Sequence, residues 1–111
     1  MEYEIVVHRS ARADVLQVCQ RAARNAPVAA EKRLARFERK ILTLQSNPQR
    51  CSFAAEDSKV AVPLFEILFG RAPNVFRVIF TIDGQKVRVL RFLRAQRRPL
   101  TRQQAIDALD E

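Results

Sequence analysis

The sequence predicts an α+β fold, a two-layer sandwich in which paired helices cover one face of an antiparallel sheet. Three observations carry that reading. The stretch Val75 to Arg98, VFRVIFTIDGQKVRVLRFLRAQRR, holds two runs of β-branched and aromatic residues on either side of Asp83-Gly84, the strongest short-range hairpin signal. Before it, two segments repeat apolar residues at helical spacing and are parted by Asn25-Ala26-Pro27. A short β-branched run, Tyr3 to His8, precedes both. The expected order is strand, helix, helix, three strands (β-α-α-β-β-β) and a short C-terminal helix. A chain of 111 residues is long enough for a single core, so residues 1–111 form one domain, with 99–111 as its tail.

In chain order, Tyr3 to His8 is a strand. Ser10 is placed to cap the first helix, and Asp14 adds favourable charge near that end. Ala11, Val15, Val18, Cys19 and Ala22 form its apolar stripe. Pro27 opens the second helix, where its missing N–H costs nothing. Ala30, Leu34, Phe37, Ile41 and Leu44 form a seam along it. Arg33, Arg36, Arg39 and Lys40 lie off that seam and read as a solvated face. Ser46-Asn47-Pro48 ends the helix. Gln49 to Val62 reads as a loop, with a short edge strand near Ser58 to Val62. Leu64 to Phe69 is a strand, with Phe65, Ile67 and Phe69 on one face and Leu64, Glu66 and Leu68 on the other. Thr101-Arg102-Gln103-Gln104 fits a capping box, so a short helix carrying Ala105, Ile106 and Leu109 follows Pro99.

A turn at Asp83-Gly84 pairs Ile82 with Gln85, Phe80 with Val87 and Val78 with Val89. The two-residue period then sorts the faces. Phe76, Val78, Phe80, Ile82, Val87 and Val89 face the helices. Arg77, Ile79, Thr81, Lys86, Arg88, Leu90, Phe92 and Arg94 share the other face, which is expected to stay open, with Glu66 beside Arg77. Leu64, Leu68, Ile79, Leu90 and Phe92 would then form an apolar patch ringed by arginines, the kind of surface that marks an interaction site. Strict alternation puts Arg91 on the covered face, unless a bulge near Leu90 re-aims it or it lies beyond the helices' edge.

The net charge is +8, and it is concentrated. From Ile67 to Ile106 there are nine basic residues and one acidic residue, Asp83, whereas the rest of the chain balances at eleven of each. Such a field attracts a polyanion or an acidic partner. Cys19 and Cys51 lack CxxC or histidine neighbours and read as free, partly buried thiols; no metal or cofactor is implied. No apolar run reaches membrane length and no signal peptide opens the chain, so a cytoplasmic protein with no membrane contact is expected. His8 is the only histidine; a lone histidine at a strand end is more often structural than a general base.

Together, the opening YEIVVHRSARADV, the proline-started PVAAEKRLARFERKILTLQSNP, and LFEILFG followed by VFRVIFTIDGQKVRVLRFLRAQRRPL resemble the RelE/ParE superfamily, the toxin subunits of bacterial type II toxin–antitoxin systems. The resemblance covers roughly residues 3–100. It implies a cognate antitoxin partner and one of two activities. RelE-like members cleave mRNA on the ribosome with basic residues and a C-terminal tyrosine or histidine. ParE-like members poison DNA gyrase and are not nucleases. Arg77 matches a phosphate-contacting position of the nucleases, and Arg94, Arg97 and Arg98 match their basic C-terminal cluster loosely. Glu66 and Leu68 stand where the nucleases carry lysines, and no tyrosine or histidine follows Arg98. With its long second helix, the chain resembles the ParE side more closely.

Three functions follow as expectations. The first is a gyrase-poisoning toxin with no catalytic centre. The second is a ribosome-dependent endoribonuclease, with Arg77, Arg94, Arg97 and Arg98 gripping phosphates and Glu66 as acid or base. Guanidinium stays charged at working pH and is a poor proton donor, which weighs against that reading. The third is a basic nucleic-acid-binding module. Target-binding candidates are Arg77, Arg88, Arg94, Arg97 and Arg98. Candidates for binding the antitoxin are Leu64, Leu68, Ile79, Leu90 and Phe92.

Overall fold

A computed structural model describes residues 2–111. Strand β1 (Glu4–Val7) leads into α1 (Arg9–Ala23) and α2 (Pro27–Leu42), then β2 (Ser52–Phe53), β3 (Phe65–Arg71), β4 (Asn74–Asp83), β5 (Lys86–Arg94) and α3 (Arg102–Leu109). The five strands form one sheet in the order β1-β5-β4-β3-β2. β1 lies parallel to β5, and every other pair is antiparallel. The helical hairpin α1–α2 leads from β1 at one edge of the sheet to β2 at the other and covers one face. The expected α+β order holds, with β2 as an additional edge strand.

Local chemistry sets most boundaries as expected. Pro27 stands at the first turn of α2, and Thr101 and Gln104 make both reciprocal bonds of the capping box at α3. Ser10 does not cap α1. The helix begins two residues earlier, at Arg9 after His8, and Ser10 lies in its first turn. The edge strand is not at Ser58–Val62 but at Ser52–Phe53, where the Phe53 ring stacks on Phe65 at 5.0 Å between centroids. Residues Ala55–Lys59 form a 3-10 turn instead.

The β4–β5 register differs by two residues from the expected one. Asp83 pairs with Lys86 and Ile82 with Val87, so Gly84 and Gln85 make the turn. Gly84 takes φ +60, a conformation a glycine at the first loop position adopts without cost. The shift sets Ile82 against Val87 rather than against polar Gln85. Further along, the register passes from Phe80↔Val89 to Ile79↔Arg91, so Leu90 is the extra residue of a β-bulge.

The bulge reverses the outer half of β5. Phe92 faces the helices, not the opposite side, and packs at 4.7 Å from both Phe37 and Phe76. Arg94 moves to the same side, 5.4 Å above the Phe76 ring. Arg91 reaches α1, its Nε donating to Asp14 at 2.7 Å. The helix-side core gathers Phe37, Leu44, Phe76, Val78, Phe80, Val87, Val89 and Phe92.

The second face of the sheet is not bare. A second apolar cluster there joins Ala54, Leu64, Ile79, Leu90 and Leu93 to Leu100, Ala105 and Ala108 of the C-terminal segment. Beyond Pro99 the chain folds back and α3 roofs part of the face, because Leu100 and the small alanines can close onto it. Among the described residues, no helix is long and apolar enough to cross a membrane.

Candidate functional site

Arg77 lies at the middle of the second face and is only 7% exposed. Its guanidinium makes a forked pair with Glu56, Nη1 to Oε1 at 3.0 Å and Nη2 to Oε2 at 2.9 Å. Nη1 also donates to Glu66 Oε1 at 3.1 Å. Glu56 is fully buried and accepts a further bond from the Leu100 backbone N–H at 2.8 Å. Burial alone would push the Glu56 carboxyl up, but the bonds from Arg77 and Leu100 and the Arg77 charge outweigh it and hold its pKa below the ordinary carboxylate value. The bonds to Glu56 and Glu66 in turn hold Arg77 more firmly protonated against its own burial. The cluster ties β3, β4, the 55–59 turn and the entry to α3 into one unit.

The part of this face that α3 leaves uncovered is a depression of about 440 Å³, lined by Phe53, Glu66, Arg77 and Arg97 with small residues between. Glu66 and Arg77 are thus brought together as partners in an ion pair. The other candidate cations scatter. Arg88 is bound to Asp83 at 3.0 Å near the β4–β5 turn. Arg94 donates to Asn74 Oδ1 at 3.3 Å on the helix side. Arg97 and Arg98 are exposed after β5.

The expected apolar patch is mostly buried. Leu64, Ile79 and Leu90 lie under the C-terminal segment and Phe92 lies under the helices. Leu68 alone is exposed, at 53%, and Phe53, at 62%, joins it at the β2–β3 edge. β2 pairs only with Phe65 and Glu66, which leaves the rest of that β3 edge without a neighbouring strand.

His8 is buried, and its Nδ1 lies 2.8 Å from the Ala108 carbonyl. A carbonyl only accepts, so Nδ1 carries the proton in that bond. The Glu111 carboxylate accepts from the backbone N–H and hydroxyl of Ser10. His8 and Ser10 therefore fasten the end of α3 to the start of α1. Sequence reasoning missed Glu56, Phe53 and this fastening. Glu56 sits in the least patterned stretch, and nothing in the spacing signals a partner for Arg77 across 21 residues.

A sequence model of the family described as "ParE toxin of type II toxin-antitoxin system, parDE" matches residues 5–99. The chain belongs to the ParE toxin family. Among solved structures, it is similar to one titled "Chromosomal ParDE TA system from P. aeruginosa", with a TM-score of 0.69 and 20% identity, covering 86% of this chain and 98% of that one. At that identity the likeness shows a shared fold. Comparison with curated proteins gives no match. As a ParE-family chain of the RelE/ParE superfamily, the protein is a toxin of a type II toxin–antitoxin system.

Proposed function

We propose that this ParE-family toxin arrests growth by binding DNA gyrase in the cytoplasm, and that it has no nuclease centre of its own. The observation that carries this is the engagement of Arg77 and Glu66. RNA cleavage without metal needs a group to activate the 2′-OH, a cation on the phosphate and a proton donor to the leaving oxygen. Arg77 and Glu66, the candidates for phosphate contact and proton transfer, neutralise each other together with Glu56. His8 is buried and committed to Ala108.

A cognate antitoxin is the second part of the proposal. Its landing place would be the β2–β3 edge, where Leu68 and Phe53 are exposed and the β3 backbone is open to an added strand. A disordered segment could order along it on binding.

The test expresses the toxin in a bacterium, maps mRNA ends by primer extension, and assays supercoiling by purified gyrase. The expected outcome is inhibited gyrase with DNA breaks and intact mRNA. In-frame mRNA cuts with unaffected gyrase would replace this reading with the RelE-like one.

A further inference from the structure

At the end of the molecule opposite the β4–β5 turn, α2 and the β3–β4 turn enclose a cleft of about 430 Å³. Arg33 and Arg36 reach it from one helix face and Arg71 from the turn, with Asn74 between them and the Phe69 and Phe76 rings as its floor. Among the described residues, no carboxylate lines it and none of the three guanidiniums has an ion-pair partner. Across the Phe76 ring lies a second cleft, about 190 Å³, lined by Arg21, Arg94 and Arg97. Its one carboxylate, Asp14, is already bound to Arg91. Arg94 stands between the two clefts, held over Phe76 and bonded to Asn74.

We propose that this end binds the phosphodiester backbone of a nucleic acid, with Arg33, Arg36 and Arg71 holding one phosphate group and Arg94 and Arg97 continuing the track. Guanidinium groups present forked donors suited to phosphate oxygens. An acidic protein segment fits less well. Protein interfaces rest on apolar anchors, and the aromatic and leucine side chains lining the two clefts, Phe69, Phe76, Phe92 and Leu93, are each 9% exposed or less and offer no landing area. The exposed large apolar groups, Leu16, Val28, Leu42, Phe53, Val62 and Leu68, line neither cleft. The inference goes beyond the gyrase reading and does not rest on it: supercoiling inhibition and direct nucleic-acid binding are separate measurements.

The experiment titrates the full chain into labelled duplex DNA, and into single-stranded RNA of equal length, by fluorescence anisotropy between 50 and 200 mM salt. Any basic protein binds DNA to some degree, so the comparison is between two triple variants of equal charge. Arg33→Ala/Arg36→Ala/Arg71→Ala is expected to lose about tenfold or more in affinity and to lower the salt slope by about 0.9, the share of the one phosphate that the three hold together. Arg12→Ala/Arg39→Ala/Arg102→Ala, which touches neither cleft, is expected to lose less than about threefold, the share due to net charge alone. Asn74→Asp puts a carboxylate into the track while keeping the acceptor for Arg94. It should weaken binding several-fold with an unchanged melting temperature, so the test survives if the cleft triple unfolds. Tighter binding to duplex or to RNA identifies the source of the phosphates, and either supports the site. Equal losses in the two triples, undiminished binding by Asn74→Asp, or displacement of DNA by polyglutamate at equal charge would overturn it.

Discussion

Arg77 shows how the meaning of a residue depends on its partners. From its position on the strand it is expected to meet a phosphate. In the structure it makes a forked pair with buried Glu56. Removing one member of a buried ion pair leaves the other charged and unsolvated, at a cost of about 3–5 kcal/mol. Arg77→Ala should therefore lower the unfolding free energy by about that amount in urea titrations. Replacing both members, as Arg77→Met/Glu56→Gln, should recover a large part of it, and a double variant less stable than Arg77→Ala would refute the pairing. The same carboxyl sets an acid limit. Glu56 is held below its unfolded value of about 4.3, so its stabilising contribution is complete above that value and disappears as pH falls through the lower folded one. The wild-type urea midpoint should drop as pH falls below about 4.3, and Glu56→Gln should flatten that part of the profile. An unchanged profile in Glu56→Gln would mean that other carboxylates govern acid unfolding.

Among the elements, α3 departs most from its sequence-level appearance. Eight residues with few large apolar groups suggest a peripheral tail, yet the segment closes a second core over Ile79, Leu90 and Leu93. It is tied at both ends. Lys59 Nζ donates to the Leu100 carbonyl at 2.7 Å, while His8 and Ser10 hold the far end. Thr101→Ala removes the cap and should cost about 1 kcal/mol. Deleting residues 101–111 should cost several times more and make the protein bind a hydrophobic dye, because buried Leu90 and Leu93 would meet water. A deletion as stable as the wild type would show that α3 merely rests on the sheet. The start of α2 at Pro27, the capping box of α3 and the helix-facing set on β4 were all legible in the sequence, because each rests on local chemistry or on the two-residue period. The bulge at Leu90 was legible only as an alternative, raised by the awkward place of Arg91 on the covered face. One inserted residue leaves no compositional mark, yet it carries Phe92 and Arg94 across the sheet, so the expected patch failed on β5. Glu56 was illegible for a related reason: its role depends on where a loop comes to rest.

At the scale of the whole molecule, the two available surfaces differ in chemistry. The β2–β3 edge is apolar, with Phe53 and Leu68 exposed. The cleft lined by Arg33, Arg36 and Arg71 is cationic, and no exposed large apolar side chain lines it. An antitoxin that needs buried contact area should depend on the first surface, and a polyanion on the second. The two functions should therefore separate by mutation. Leu68→Asp and Phe53→Asp change exposed side chains, so they should leave folding and growth arrest intact while weakening the cognate antitoxin about tenfold or more, roughly 1.4 kcal/mol. Co-expressed antitoxin would then fail to rescue growth, and titration calorimetry would register the weaker affinity. Phe92→Asp, by contrast, places a charge among Phe37, Phe69 and Phe76, and should abolish toxicity and antitoxin binding together through unfolding. The arginine triple should keep antitoxin affinity. If Leu68→Asp and Phe53→Asp were rescued as fully as the wild type while the arginine triple escaped neutralisation, the antitoxin would belong on the basic end, and the proposed division of surfaces would be wrong.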